Sequence, residues 1–125
     1  RETIDSPAPS SEDEVRAGVD REGGVLDHFV DATRHLASIH PSRYRSLLDG
    51  VTAVGWTHVR PVTDQAVALR MVVLADRLYD ADIPVFASGQ PIGDLFSAEM
   101  LAGGYRKKYY RAISRLTALA RHDPR

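Results

Sequence analysis

The segment "GGYRKKYYRAISRL", from Gly103 to Leu116, carries five cations and three tyrosines behind a pair of glycines. On a helix, at 100° per residue, Lys107, Arg111 and Arg115 fall in one stripe with Lys108 beside it. Tyr105, Tyr109, Ile113, Leu116 and Ala120 fall on the other side. Three readings fit that division. The first is a solvated face opposite a core face. The second is an anion site, because arginines one turn apart can each make bidentate contacts to phosphate. The third, and the weakest, is nucleic acid, because the tyrosines lie mostly on the core side instead of alternating with the cations.

Other candidate chemistry is thin. "GGYRKK" is not a Walker A loop, which needs four residues between its glycines and then Gly-Lys-Ser/Thr to cradle phosphate and hold magnesium. No apolar strand ends in Asp-Glu to hold a metal-activated water. His28 and His35 share a helix face, while His40 and His58 sit near element ends, and none has the partners or spacing of a zinc site. No metal is expected. Ser88 and Ser114 lack the surroundings of a nucleophile elbow. Arg70 is unusual, a lone cation in the apolar run of "QAVALRMVVLADRLYD". It can snorkel or pair with an acid such as Asp76, or it can face a subunit boundary or a phosphate.

These residues need elements to position them. "RETIDSPAPSSEDE" reads as a polar connector, with a short helix starting at the capping-box pair Ser11 and Glu14 and closing at Gly23-Gly24. Residues 1–24 are assigned to it. From Val25 to Ile39 the pattern is helical, with Leu26, Phe29, Val30 and Leu36 near one face. "HPSRYRSLLDG" gives another short helix, ended by Gly50. "VTAVGWTHV" and "IPVFAS" are the strand candidates. Between them a helix from Asp64 to about Asp80, capped by Thr63, completes one right-handed βαβ unit. "LFSAEML" forms a helical piece, and a closing helix runs from about Tyr105 to Arg121.

The fold class is therefore α/β, with short parallel strands. Two strands make an incomplete sheet, so the chain reads as the tail end of a larger domain, an expectation that its opening at Arg1 supports. The net charge of −1 hides an acidic opening and a basic close. No apolar run approaches the length of a membrane span, and there is no cysteine. A cytoplasmic location fits that composition.

"VTDQAVALRMVVLADRLYDADIPVFASG" followed by "LFSAEMLAGGYRKKYYRAISRL" closely resembles the C-terminal part of the AFG-like ATPase family, the ZapE-type cell-division ATPases. The resemblance runs from Arg1 to about Arg121 in several ordered blocks. It implies the C-terminal portion of a P-loop AAA+-type domain, with residues 25–121 belonging to that domain and 122–125 a tail. It also implies an ATP hydrolase that uses ATP and Mg2+ and remodels a partner protein, with Walker A and B upstream and the isolated chain inactive. The implied partners are the chain's own N-terminal ATPase region, further copies of itself and a cell-division protein of the FtsZ type. The family pattern F-x-R-x-x-S-R-L is matched by Arg111, Ser114, Arg115 and Leu116. The resemblance makes Arg111 and Arg115, with Arg70 as a third candidate, arginines that sense ATP's phosphates within a subunit or across an interface. Arg106, Lys107 and Lys108 form a basic surface stronger than the general pattern. They keep open a basic-helix module that binds nucleic acid or an acidic protein.

Overall fold

The computed structural model describes residues 8–122. Residues 1–7, expected to be part of a connector, and residues 123–125, expected to be part of a tail, lie outside the described residues. Helix α1 (Glu12–Glu22) starts at a reciprocal cap. The Ser11 side chain accepts from the Glu14 N–H at 3.2 Å, and the Glu14 carboxylate accepts from the Ser11 N–H at 3.0 Å. Glu12, Asp13 and Glu14 place negative charge against the positive end of the helix dipole. Gly23 ends the helix at φ 69°, a left-handed cap that residues with a Cβ resist.

The helical reading from Val25 onward is corrected here. Val25–His28 is a strand, β1, and the helix α2 (Phe29–Ser38) begins only after it. His28 serves both elements, ending the strand and capping the helix by accepting the Val30 N–H at 3.3 Å. The sheet therefore has three strands. With β2 (Val54–Val59) and β3 (Val85–Gly89), it runs in the order β1-β2-β3 and is parallel throughout. Val25 lies opposite Val54, and Trp56 opposite Ala87.

After α2, a single 3-10 turn at Pro41–Arg43 leads into α3 (Tyr44–Leu47). The long helix α4 (Gln65–Asp80) is capped by Asp64, whose carboxylate accepts the Val67 N–H at 3.0 Å, and not by Thr63. α5 (Ala98–Leu101) precedes the closing helix α6 (Arg106–Leu119), which is a little shorter at both ends than its sequence pattern. Among the described residues no helix is long and apolar enough to cross a membrane.

Two cores of unequal size hold the layers together. On one face of the sheet Val54, Trp56 and Val85 pack with Phe29 and Leu36 of α2, Met71, Leu74 and Leu78 of α4, and Tyr109, Ile113 and Leu116 of α6. On the other face α1 buries Val15 and Val19 against Ala53 and Phe86. That contact is close because glycines face it. A Cβ on Gly55 would come within 2.3 Å of Val19 Cγ2, and one on Gly18 within 2.4 Å of the Phe86 ring.

The sheet's two edges differ. Along β3 the Ser10 N–H donates to the Ala87 carbonyl at 3.0 Å and the Arg121 N–H to the Val85 carbonyl at 2.9 Å. Ser10 Oγ and His122 Nδ1 then join the two flanking segments at 2.8 Å. Beside β1 lies an apolar cavity of about 470 Å³, lined by Val25, Leu36, Leu47, Trp56, Leu74 and Leu78.

Candidate anion-binding site

The apolar side of α6 sets where its cations go. Tyr109, Ala112, Ile113, Leu116 and Leu119 are buried, so the packed helix can rotate little about its axis. Tyr109 stacks on Phe96 with ring centroids 4.7 Å apart and meets the Tyr105 ring edge-on at 6.4 Å. Burial, and then the neighbouring Tyr105, pushes the Tyr109 phenol above the ordinary tyrosine pKa. Tyr105 itself does not join the core side as its spacing predicts. It is the N-cap residue and remains exposed.

With α6 fixed in this way, Arg111 and Arg115 reach the same residue of α4. Arg115 Nη1 donates to Asp76 Oδ1 at 2.5 Å, and Arg111 Nη2 donates to Asp76 Oδ2 at 3.3 Å. Each carboxylate oxygen thus serves one guanidinium. The Arg115 guanidinium also lies over the Tyr79 ring, 5.0 Å from its centroid. The three charged side chains differ in exposure: 16% for Asp76, 31% for Arg115 and 51% for Arg111. Arg115 is held on two sides and partly covered, so the fully solvated face expected for the stripe stops at Arg111.

Arg70 goes elsewhere. Its Nη1 donates to the Ile39 carbonyl at 2.6 Å and the Leu36 carbonyl at 3.3 Å, at the C-terminal end of α2. Of the alternatives open for Arg70, pairing with Asp76 is not the one the fold uses, because Asp76 lies with the α6 arginines. A helix C-terminus has unsatisfied carbonyls and a partial negative charge, and a guanidinium answers both. Arg106, Lys107 and Lys108 are exposed in the first turn of α6, which contains no acid. Lys108 Nζ sits 5.8 Å from the centroid of the Tyr105 ring.

Sequence reasoning missed Tyr79 and offered Asp76 only as a partner for Arg70. The usable signal was an acid and an aromatic three residues apart on a helix otherwise built for burial, with two arginines four apart awaiting partners. The cluster carries one excess positive charge, and both guanidinium groups have N–H donors beyond those given to Asp76. It can therefore accept an anion. A cation such as Mg2+ fits poorly, since the carboxylate oxygens are already engaged by guanidinium groups. Among the described residues, no three His, Asp or Glu side chains gather as metal ligands.

At the far end of the sheet His28 and His58 stack with centroids 4.7 Å apart and planes 12° apart. His58 has a φ of 58°, where the pairing of β2 with β3 loses register, and its Nε2 lies 3.5 Å from the Glu12 carboxylate.

Comparison with curated proteins and with solved structures gave no match. A family model does match, over residues 5–124, and its description is AFG1-like ATPase. The match takes in all three strands, the α4–α6 pair and the arginine cluster between them, and the chain belongs to the AFG1-like ATPase family.

Proposed function

We propose that this chain supplies phosphate-sensing arginines, Arg111 and Arg115, to an AAA+-type ATP hydrolase. One observation carries the reading: two guanidinium groups from one helix are held side by side on a single carboxylate, with N–H donors to spare. Membership of an ATPase family gives that geometry a phosphate to meet. ATP, when bound, supplies a phosphoryl group whose oxygens carry the charge of transfer. Arg111 and Arg115 would donate hydrogen bonds to those oxygens and offset their charge. ATP and Mg2+ would be held mainly by a P-loop segment outside these 125 residues, which contain no GxxxxGK[ST] run. The isolated chain would then not turn ATP over. Arg70 is assigned to holding α2 against α4. The finer parts of the reading come from the family resemblance: a cytoplasmic homo-oligomer that remodels an FtsZ-type cell-division partner.

A second reading is favoured by the exposed first turn of α6. Arg106, Lys107 and Lys108 stand there without an acid in the turn, as a surface for an acidic protein would require, or less readily for nucleic acid. Steady-state ATPase rates of single Ala variants at Lys107, Lys108, Arg111 and Arg115, in the protein joined to its P-loop segment, separate the two. Arg111→Ala and Arg115→Ala are expected to lower kcat by roughly 10³-fold, and the lysine variants by little. Equal and modest losses in all four would favour the basic surface. Near-parental rates for both arginine variants would remove the phosphate role.

A further inference from the structure

Asp76 gives the α6 arginines the ligand that a phosphate would give them: one anionic group with an oxygen for each guanidinium. The α4–α6 contact already has an apolar base in Met71, Ala75, Tyr109, Ala112 and Leu116. The Asp76 side chain is 16% exposed, against 55% for Asp80 four residues on in the same helix.

The two arms are held unequally. Arg115 has the shorter contact, at 2.5 Å, and the Tyr79 ring as a second support. Arg111 has the longer contact, at 3.3 Å, and about half its side-chain surface in solvent. A long contact at an exposed site contributes little on its own. Arg111 is therefore the arm that leaves first.

We propose that Asp76 is a built-in phosphate mimic that holds the α6 arginines closed. Arg111 exchanges Asp76 for the polyphosphate of a nucleotide, while Arg115 keeps its place between Asp76 and Tyr79 and, as the fixed arm, offers the same polyphosphate the N–H donors that Asp76 does not use. The exchange transfers no atoms. One ion pair opens and another forms, and the anion is favoured by the positive charge the cluster has in excess. An arginine contact to phosphate is thereby tied to loosening of one α4–α6 bridge, which makes Asp76 a brake on anion binding. This deepens the phosphate reading of Arg111 and Arg115 and rests on it.

The test uses the 125-residue chain and inorganic triphosphate, followed through the side-chain Nε–H signals of the arginines. Asp76→Asn is expected to bind triphosphate about tenfold more tightly than the parent chain, with the Arg111 signal moving most. Arg111→Gln is expected to lower binding at least fivefold in the parent and to abolish the gain in Asp76→Asn. Asp80→Asn is the charge control, because Asp80 is an acid of the same helix that pairs with Arg77 and not with the cluster. A purely structural Asp76 would lower Tm on substitution without tightening binding. The proposal is overturned if Asp76→Asn binds no tighter than the parent, or if Asp80→Asn gives the same gain. It is also overturned if Arg111→Gln leaves binding unchanged, a result that holds even if Asp76→Asn fails to fold. Binding is read here without turnover, so a tighter Asp76→Asn alongside near-parental ATPase rates for the arginine variants would sink the catalytic reading alone.

Discussion

At the scale of single residues, chemistry and packing meet at Tyr109. Its ring lies between Phe96 and Tyr105, and burial raises its pKa. An unfolded tyrosine ionises near 10, so the folded state keeps its proton to higher pH than the unfolded state does. The contribution to stability is complete below about pH 10 and is lost as pH rises through the folded pKa. Tyr109→Phe keeps the ring and removes the ionisation. Thermal melts from pH 8 to 11 are expected to show a smaller alkaline fall in Tm for this variant than for the parent, and parallel curves would mean that Tyr109 is not the group responsible. The same scale shows what can be read from a sequence. The i, i+4 spacing of Arg111 and Arg115 was visible because it is local. Their partner was not, because Asp76 lies 35 and 39 residues away on another helix and only the packing of α4 on α6 brings it near. Arg70 was opaque for a different reason. Its partners are backbone carbonyls, which every residue has and no sequence marks.

At the scale of elements, the two strands buried on both faces were legible and the exposed edge strand, β1, was not. β2, and β3 at the edge that the flanking segments cover, are apolar and nearly continuous in burial, as parallel strands covered on both faces are. β1 is only four residues long. Val25, Asp27 and His28 are exposed, so it shows neither alternation nor an apolar run. It also passes into α2 without an intervening loop, which lets the helical spacing of Phe29 and Leu36 spread backward over it. The glycines facing α1 were legible as residues but not as contacts. Gly55 is the second residue of β2, where a Cβ would meet Val19 Cγ2 at 2.3 Å and Val15 Cγ1 at 3.1 Å. Both are short branched side chains on a helix pinned at each end, so neither can swing clear. Gly55→Ala is expected to destabilise the chain by about 1–3 kcal/mol in urea melts, through displacement of α1. Adding Val19→Ala makes room and should recover part of that loss, giving a coupling between the two sites. A Gly55→Ala chain as stable as the parent, or strict additivity with Val19→Ala, would contradict the close-packing account.

At the scale of the whole molecule, the unequal cores imply unequal stability. One face of the sheet carries α2, α4 and α6 over a continuous apolar cluster that joins β2 and β3 to the helices of the arginine site. The other carries α1, whose buried cluster is Val15, Val19, Ala53 and Phe86, with Leu26 packed at its side. A helix of 11 residues has little stability of its own, so α1 depends on that small cluster and on its end contacts. Those contacts are the Ser10 hydrogen bond to Ala87 and the 2.6 Å bond from Thr52 Oγ1 to the Glu22 carbonyl. Local opening therefore has a natural unit in α1, while α4 can exchange only when the larger core opens. Native-state hydrogen exchange is expected to find the α1 amides opening at lower free energy than those of α4, with a weaker dependence on urea because less surface is exposed. Val19→Ala should lower the opening free energy of α1 by about 1 kcal/mol or more while shifting α4 less. Leu78→Ala, in the larger core, should lower the protection of α4 by about 2–5 kcal/mol. If α1 and α4 instead exchange at one common free energy and slope, the molecule opens as a single unit. The sheet face under α1 would then be as firmly closed as the face that holds Asp76 and its two arginines.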